Sequence, residues 1–197
     1  PYLTQADNFI YDGASYKQTQ VKYEYDIYGN PVKVTSYGDV STAVDDKTQA
    51  TDYLYNTDNW LISLPKHTVL LDSTGNKVSE KWFYYDNNIN LTDLPVKGLL
   101  TKEESWLYNP LTLKEDKVAT QYAYDQFGNP TSVTDALGRT VTTAYDTVCY
   151  DFPIRVTNVL DQNVQTVYYG INEPDNDTIT GSGITGQVKY VQDLNNQ

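Results

Sequence analysis

Tyr122-Ala123-Tyr124-Asp125-Gln126-Phe127-Gly128-Asn129-Pro130-Thr131-Ser132-Val133-Thr134-Asp135-Ala136-Leu137-Gly138-Arg139-Thr140-Val141-Thr142-Thr143-Ala144-Tyr145-Asp146 is the stretch that decides the fold. It holds two copies of one device, Asp-x-x-Gly, at Asp125–Gly128 and Asp135–Gly138. An Asp at the first position of a type I turn accepts hydrogen bonds from backbone amides further along the turn, and a Gly at the fourth enters the left-handed region without strain. Tyr122 and Tyr124 before the first copy, and Val133 and Val141 after, alternate with polar residues at the period of two that turns one face of a strand inward. The reading is strand, tight turn, strand, tight turn, strand.

The same cadence extends outward. Val21-Lys-Tyr23-Glu-Tyr25 alternates, runs into Asp26-Ile-Tyr-Gly29-Asn30-Pro31, and returns through Val32 to Tyr37. Pro31 suits the start of a strand, where a missing amide donor is tolerated. Asp72-Ser-Thr-Gly75-Asn76 repeats the turn between Lys66–Leu71 and Lys77–Tyr85, and Trp60–Pro65 reads as a separate apolar patch. Gly38 to Gln49 reads as loop, Thr51 to Tyr55 as strand, and Asn87 to Gly98 as turn-rich. Leu99–Tyr108 and Lys117–Tyr124 form another strand pair. Asn158-Val-Leu-Asp161 takes the turn slot with Asp in place of Gly, since Asp enters the left-handed region at modest cost. No segment carries capped helical periodicity. The expected fold is all-β, a meander of antiparallel hairpins in a curved sheet.

Acidic residues outnumber basic ones 26 to 14, for a formal charge of -12. Phosphate binding needs clustered Lys and Arg, so nucleic acid is excluded as a partner, and an anionic membrane surface is disfavoured. No apolar run is long enough for a membrane span. Nineteen Tyr suit half-buried pleated surfaces, and the lone Cys149 builds no disulfide framework. Pro1 is not a translation start, so the chain reads as a piece of a larger protein with any targeting signal outside it.

Catalytic constellations are scarce. His67 is the only histidine, and its strand-like setting favours a structural role. Cys149 has no basic neighbour and reads as a buried, inert thiol. These two cannot assemble a zinc site, and no cofactor motif is present. Carboxylates are plentiful, but Asp26, Asp72, Asp125 and Asp135 sit with Gly29, Gly75, Gly128 and Gly138 at turn positions that account for them. Glu173-Pro-Asp175-Asn-Asp177 has the oxygen density of a calcium loop without its spacing. Asn90-Leu-Thr92 and Asn176-Asp-Thr178 are glycosylation sequons if the source glycosylates. Tyr23, Tyr25, Tyr122, Tyr124, Tyr145 and Tyr168 read as cross-strand aromatics, with a sugar-stacking platform as the alternative.

Asp125, Asp135 and Asp146 lie 10 and 11 residues apart, one strand plus one turn each. Tyr23-Glu-Tyr-Asp26-x-x-Gly29-Asn30-Pro31-x-x-Val34-Thr35 and Tyr122-Ala-Tyr-Asp125-x-x-Gly128-Asn129-Pro130-x-x-Val133-Thr134 are nearly superimposable. On these motifs the chain resembles the Rhs/YD-repeat proteins, most densely over 117–169 and clearly over 21–35. Between them it resembles the shell region of Tc-toxin B-type and plasmid-virulence-type proteins. Asp161 and Asn196 in place of Gly, and Tyr169-Gly170 in place of Tyr-Asp, depart from the pattern. The resemblance implies that residues 1–197 are one YD-repeat region of a secreted, non-catalytic, bacterial toxin-associated protein. They would form an arc of a β-shell that encloses or presents a toxic effector domain. The implied partners are other repeats of the parent chain or a toxin-complex partner, and the implied location is extracellular or on the cell surface. A surface adhesion or carbohydrate-binding module, with a glycan or cell-surface receptor as partner, is the competing expectation.

Overall fold

The computed structural model describes residues 2–171 and 186–193. All regular structure in them is antiparallel strand, with no helix, and hence none long and apolar enough to cross a membrane. The calcium candidate at Glu173–Asp177, the sequon at Asn176 and the degenerate turn at Asn196 lie outside the described residues. Two compact units divide the chain, Pro1–Ala119 and Thr120–Gln197.

The first unit holds β1 (Gln5–Asp12), β2 (Ser15–Tyr25), β3 (Pro31–Tyr37), β4 (Lys47–Asn56), β5 (Leu61–Asp72), β6 (Lys77–Tyr85), β7 (Leu100–Asn109) and the start of β8 (Lys114–Tyr124). Strand neighbours in space are strand neighbours in sequence, as short connections demand. Two boundaries differ from the sequence reading. The polar stretch after Gly38 becomes strand at Lys47, because Lys47–Ala50 pair with β3 on one side and β5 on the other. Trp60–Pro65 and Lys66–Leu71 are not separate pieces: β5 runs from Leu61 to Asp72 through Pro65. Proline is tolerated there because the register shifts at Asp52/Tyr53, where Tyr53 faces Pro65 across a bulge. Leu54 on β4 is buried opposite Leu64. The 86–99 loop covers that end: Pro95 is fully buried, and its carbonyl accepts from the Asn56 amide at 2.8 Å.

The second unit holds the rest of β8, then β9 (Pro130–Thr134), β10 (Thr140–Tyr145), β11 (Pro153–Thr157), β12 (Asn163–Tyr168) and β13 (Val188–Asp193). Each strand again pairs with the next in sequence. Its core is small and lies on β12, where Val167 is 0% exposed and Tyr168 8%. In both units a bulge recurs at the residue before the turn Asp, and it sets Tyr25 against Pro31, Tyr124 against Pro130 and Tyr145 against Pro153. Proline in these strands therefore stands where the ladder is already interrupted.

Candidate functional site

The feature that repeats with the same atoms is the turn. At Asp26 one carboxylate oxygen accepts the amides of Tyr28 and Asn30, each at 2.8 Å, and the other accepts the Asn30 side-chain amide. The backbone closes the same loop, with Asp26 N–H donating to Asn30 O at 3.0 Å and Gly29 N–H to Asp26 O at 3.2 Å. Gly29 has φ +90, outside what a β-carbon tolerates easily. Asp72 binds the amides of Thr74 and Asn76 at 2.9 and 2.8 Å, and Asp125 those of Phe127 and Asn129 at 2.9 and 3.0 Å. Asp135 binds Leu137 and Arg139, with the Arg139 guanidinium returning to the carboxylate at 2.7 Å. Asn158 repeats the pattern with its side-chain carbonyl, and Asp161 occupies the glycine slot at φ 58.

These bonds stabilise the ionised carboxylate. Burial pushes Asp26 up, but the Asn30 side chain and backbone, with Tyr55 and Tyr28, outweigh it and hold the carboxyl at about 2. Asp72 is also held at about 2, by the Thr74 hydroxyl and then the Asn76 amide. Burial of Asp125 is outweighed by Asn129, while at Asp135 the Arg139 side chain leads the downward shift.

Two further aspartates do the same work without a glycine three residues on. Asp86 gathers the amides of Val96, Lys97, Gly98 and Leu99 at 2.7, 2.7, 3.1 and 2.9 Å. Asp146 is 3% exposed. It takes the amides of Val148, Cys149, Tyr150, Asp151 and Phe152 between 2.6 and 3.3 Å. Burial opposes ionisation of both, yet the amides keep both carboxyls below the ordinary range. The Tyr-Asp dipeptide was the signal in the sequence for these anchors, joined at Asp146 by its spacing from Asp135. Cys149 sits in the loop wound around Asp146 and is exposed, not buried as expected: its backbone amide is turned to Asp146 and its side chain is left in solvent.

The tyrosines act from the strands. Tyr23 and Tyr25 stack at 6.2 Å, and Tyr2 stacks on Tyr25 at 5.0 Å. Tyr53, Tyr145 and Tyr168 each donate a hydroxyl to a proline carbonyl, at Pro31, Pro130 and Pro153, all at 3.3 Å. Tyr85 donates to Pro65 at 2.8 Å, and burial pushes its hydroxyl up to about 12. Tyr122 and Tyr124 lie half-buried on β8. The more exposed aromatic residues are others, among them Tyr11 and Tyr16 on the β1–β2 hairpin, where Phe9 packs edge-on against Tyr16 at 5.4 Å.

Sequence reasoning missed the asparagine after the turn glycine. The Asn30 side-chain amide bridges Asp26 to the carbonyl of Ile62 at 2.7 Å, and Asn129 likewise bridges Asp125 to the carbonyl of Tyr150. The Gly-Asn-Pro triplet in both full motifs was the available sign. Also missed was the surrounding of His67, which lies between Asp52 and Glu80 with its ring stacked on Trp82 at 5.6 Å. Among the described residues no group of His, Cys, Asp and Glu side chains is placed to hold a metal.

With this geometry in view, comparison with known proteins gives a local repeat match and a shared fold. Residues 114–140 and 124–147 match the family model of the RHS Repeat, so the chain carries RHS repeats there. The fold is shared with the crystal structure of TcdB2-TccC3-Cdc42 at a TM-score of 0.51 and 14% identity, over 96% of this chain and 14% of that one. A crystal structure of TcdB2-TccC3 matches at a TM-score of 0.50 and 15% identity, over 84% of this chain and 14% of that one. The chain thus spans about one-seventh of the length of the solved proteins it resembles. No curated protein sequence matches it.

Proposed function

We propose that residues 1–197 are one YD-repeat region of a secreted toxin-complex protein, a non-catalytic piece of a β-sheet wall that encloses or presents an effector domain. What supports this reading most is the repetition of one set of bonds. The carboxylates of Asp26, Asp72, Asp125 and Asp135 are each committed to amides of their own turn. The hydroxyls of Tyr53, Tyr145 and Tyr168 are committed to proline carbonyls. Side chains spent in this way hold strands and reversals together. The RHS Repeat match and the fold shared with TcdB2-TccC3 structures support the same reading. Its partners are then neighbouring repeats of the parent chain or a toxin-complex partner, in an extracellular setting.

The test is protection of the enclosed segment. In the parent protein, replacing Gly128 and Gly138 with Val strains two adjacent reversals of the wall. Under this reading, a protease that spares the effector region of the unaltered protein cleaves it in the variant. Equal cleavage of that region in both forms contradicts enclosure. A binding module is the second reading, favoured by the exposed Phe9, Tyr11 and Tyr16 on the β1–β2 hairpin. It requires glycan-array binding that disappears on Tyr11→Ala and Tyr16→Ala.

A further inference from the structure

We propose that His67 is a proton-operated clasp joining β4, β5 and β6, closed when both ring nitrogens carry a proton and opened at Asp52 when one is lost. The geometry starts from register. His67 faces Asp52 on β4 and Trp82 on β6, and Trp82 in turn faces Glu104 on β7. Nδ1 of His67 lies 3.3 Å from Asp52 Oδ2, and Nε2 lies 2.8 Å from Glu80 Oε1.

An ionised carboxylate only accepts hydrogen bonds, and a neutral imidazole has one N–H and one bare nitrogen. Both contacts are satisfied together only by the imidazolium. The neutral ring satisfies one and turns a lone pair toward the other carboxylate.

The two arms are unequal, which decides where the clasp opens. The Glu80 side chain is 17% exposed, and Lys77 holds its second oxygen at 2.9 Å. Burial pushes the Glu80 carboxyl up, but Lys77 and His67 outweigh it and keep it ionised. The Asp52 side chain is 66% exposed, and its contact to His67 is the longer one. The neutral ring therefore keeps its proton on Nε2 toward Glu80, and Asp52 turns out to water.

The remaining charges around the site are named by the same contacts. Glu115 of β8 lies behind Lys77 at 3.2 Å. Lys117 stands 3.5 Å over the Trp82 ring and pairs with Glu104, which also pairs with Lys102. The lysines bear against a charged ring, yet each is itself paired with a carboxylate, while Asp52 and Glu80 touch the imidazole directly. Acid supplies the second ring proton that both contacts need, so acidification closes the clasp and ties the three strands.

The experiment is an NMR titration of the whole chain from about pH 5 to about pH 8. It follows the ring nitrogens of His67 and the backbone amides around Asp52. The clasp predicts two N–H-type nitrogens at the acid end and a bare Nδ1 with Nε2–H at the other. It also predicts that the Asp52 amide moves with the same midpoint as the ring. Asp52→Asn, whose amide can donate to the bare Nδ1, should abolish that coupled movement while leaving the ring titration in place. Asp52 signals that stay still while the unaltered protein's His67 titrates overturn the proposal, as does a neutral ring protonated on Nδ1.

Discussion

The Tyr145 hydroxyl donates to the Pro130 carbonyl at 3.3 Å, from the strand that follows the one Pro130 begins. Tyr53 and Pro31, and Tyr168 and Pro153, stand in the same relation, and Tyr85 bonds Pro65 in the interior of β5. Proline offers the ladder no N–H, and at Pro31, Pro65, Pro130 and Pro153 the register also slips. A tyrosine from the next strand bonds the carbonyl at that weak point, so aromatic ring and hydroxyl act on adjacent strands.

Removing that hydroxyl while keeping the ring is a direct check. Tyr145→Phe should cost about 0.5–1.5 kcal/mol, the net value of an ordinary hydrogen bond. Urea denaturation of the two proteins measures it, and coincident curves contradict a stabilising role for the bond.

Gly138 has φ +77, and a β-carbon there would meet nothing within 4 Å. Gly138→Ala therefore isolates backbone strain, with an expected loss of about 1–2 kcal/mol. Gly138→Asn should lose less, because Asn enters the left-handed region more readily. Thermal melts of the pair give the comparison, and equal melting temperatures for all three proteins contradict the turn geometry.

Asn30 is buried, and its amide bridges Asp26 and the Ile62 carbonyl. Asn30→Ala should lose about 1–3 kcal/mol, the cost of leaving buried polar partners unpaired. Asn30→Asp sets a second carboxylate against Asp26, so its deficit should be largest near neutral pH and shrink in acid. A deficit independent of pH would show that repulsion plays no part.

Acid should loosen the turns. The carboxyls of Asp26 and Asp72 are held at about 2 in the folded chain, against about 3.9 for a free Asp. A depressed folded value contributes stability that is present above the unfolded value and lost as pH falls toward the folded one. The melting temperature should fall from about pH 4 to about pH 2, and the fall should be smaller in Asp72→Asn. A flat profile across that window contradicts the assignment.

The turns at Asp26, Asp72, Asp125 and Asp135 were legible because the backbone amides that each carboxylate binds lie within four residues of it. Asp161 was legible for the same reason, as a left-handed residue in a fixed slot. Asp146 was read as a beat of the repeat, but the amides bound by it and by Asp86 were not legible, because they come from loops of different length with no glycine at a fixed offset. The continuity of β5 through Pro65 depends on a bulge set by the neighbouring strand, which no local pattern encodes. His67 draws its partners from 13 and 15 residues away, so only register reveals them. Cys149 misled because burial was judged from the residue type and not from the loop that Asp146 organises.

The wall reading is tested most directly by a cryo-electron microscopy map of the parent protein. The account predicts that residues 2–171 trace strands whose outer neighbours are further repeats of the same sheet, with an effector segment on one side of it. A map in which this region stands alone, with its strand edges and the Tyr11–Tyr16 hairpin free in solvent and no segment enclosed, would contradict it.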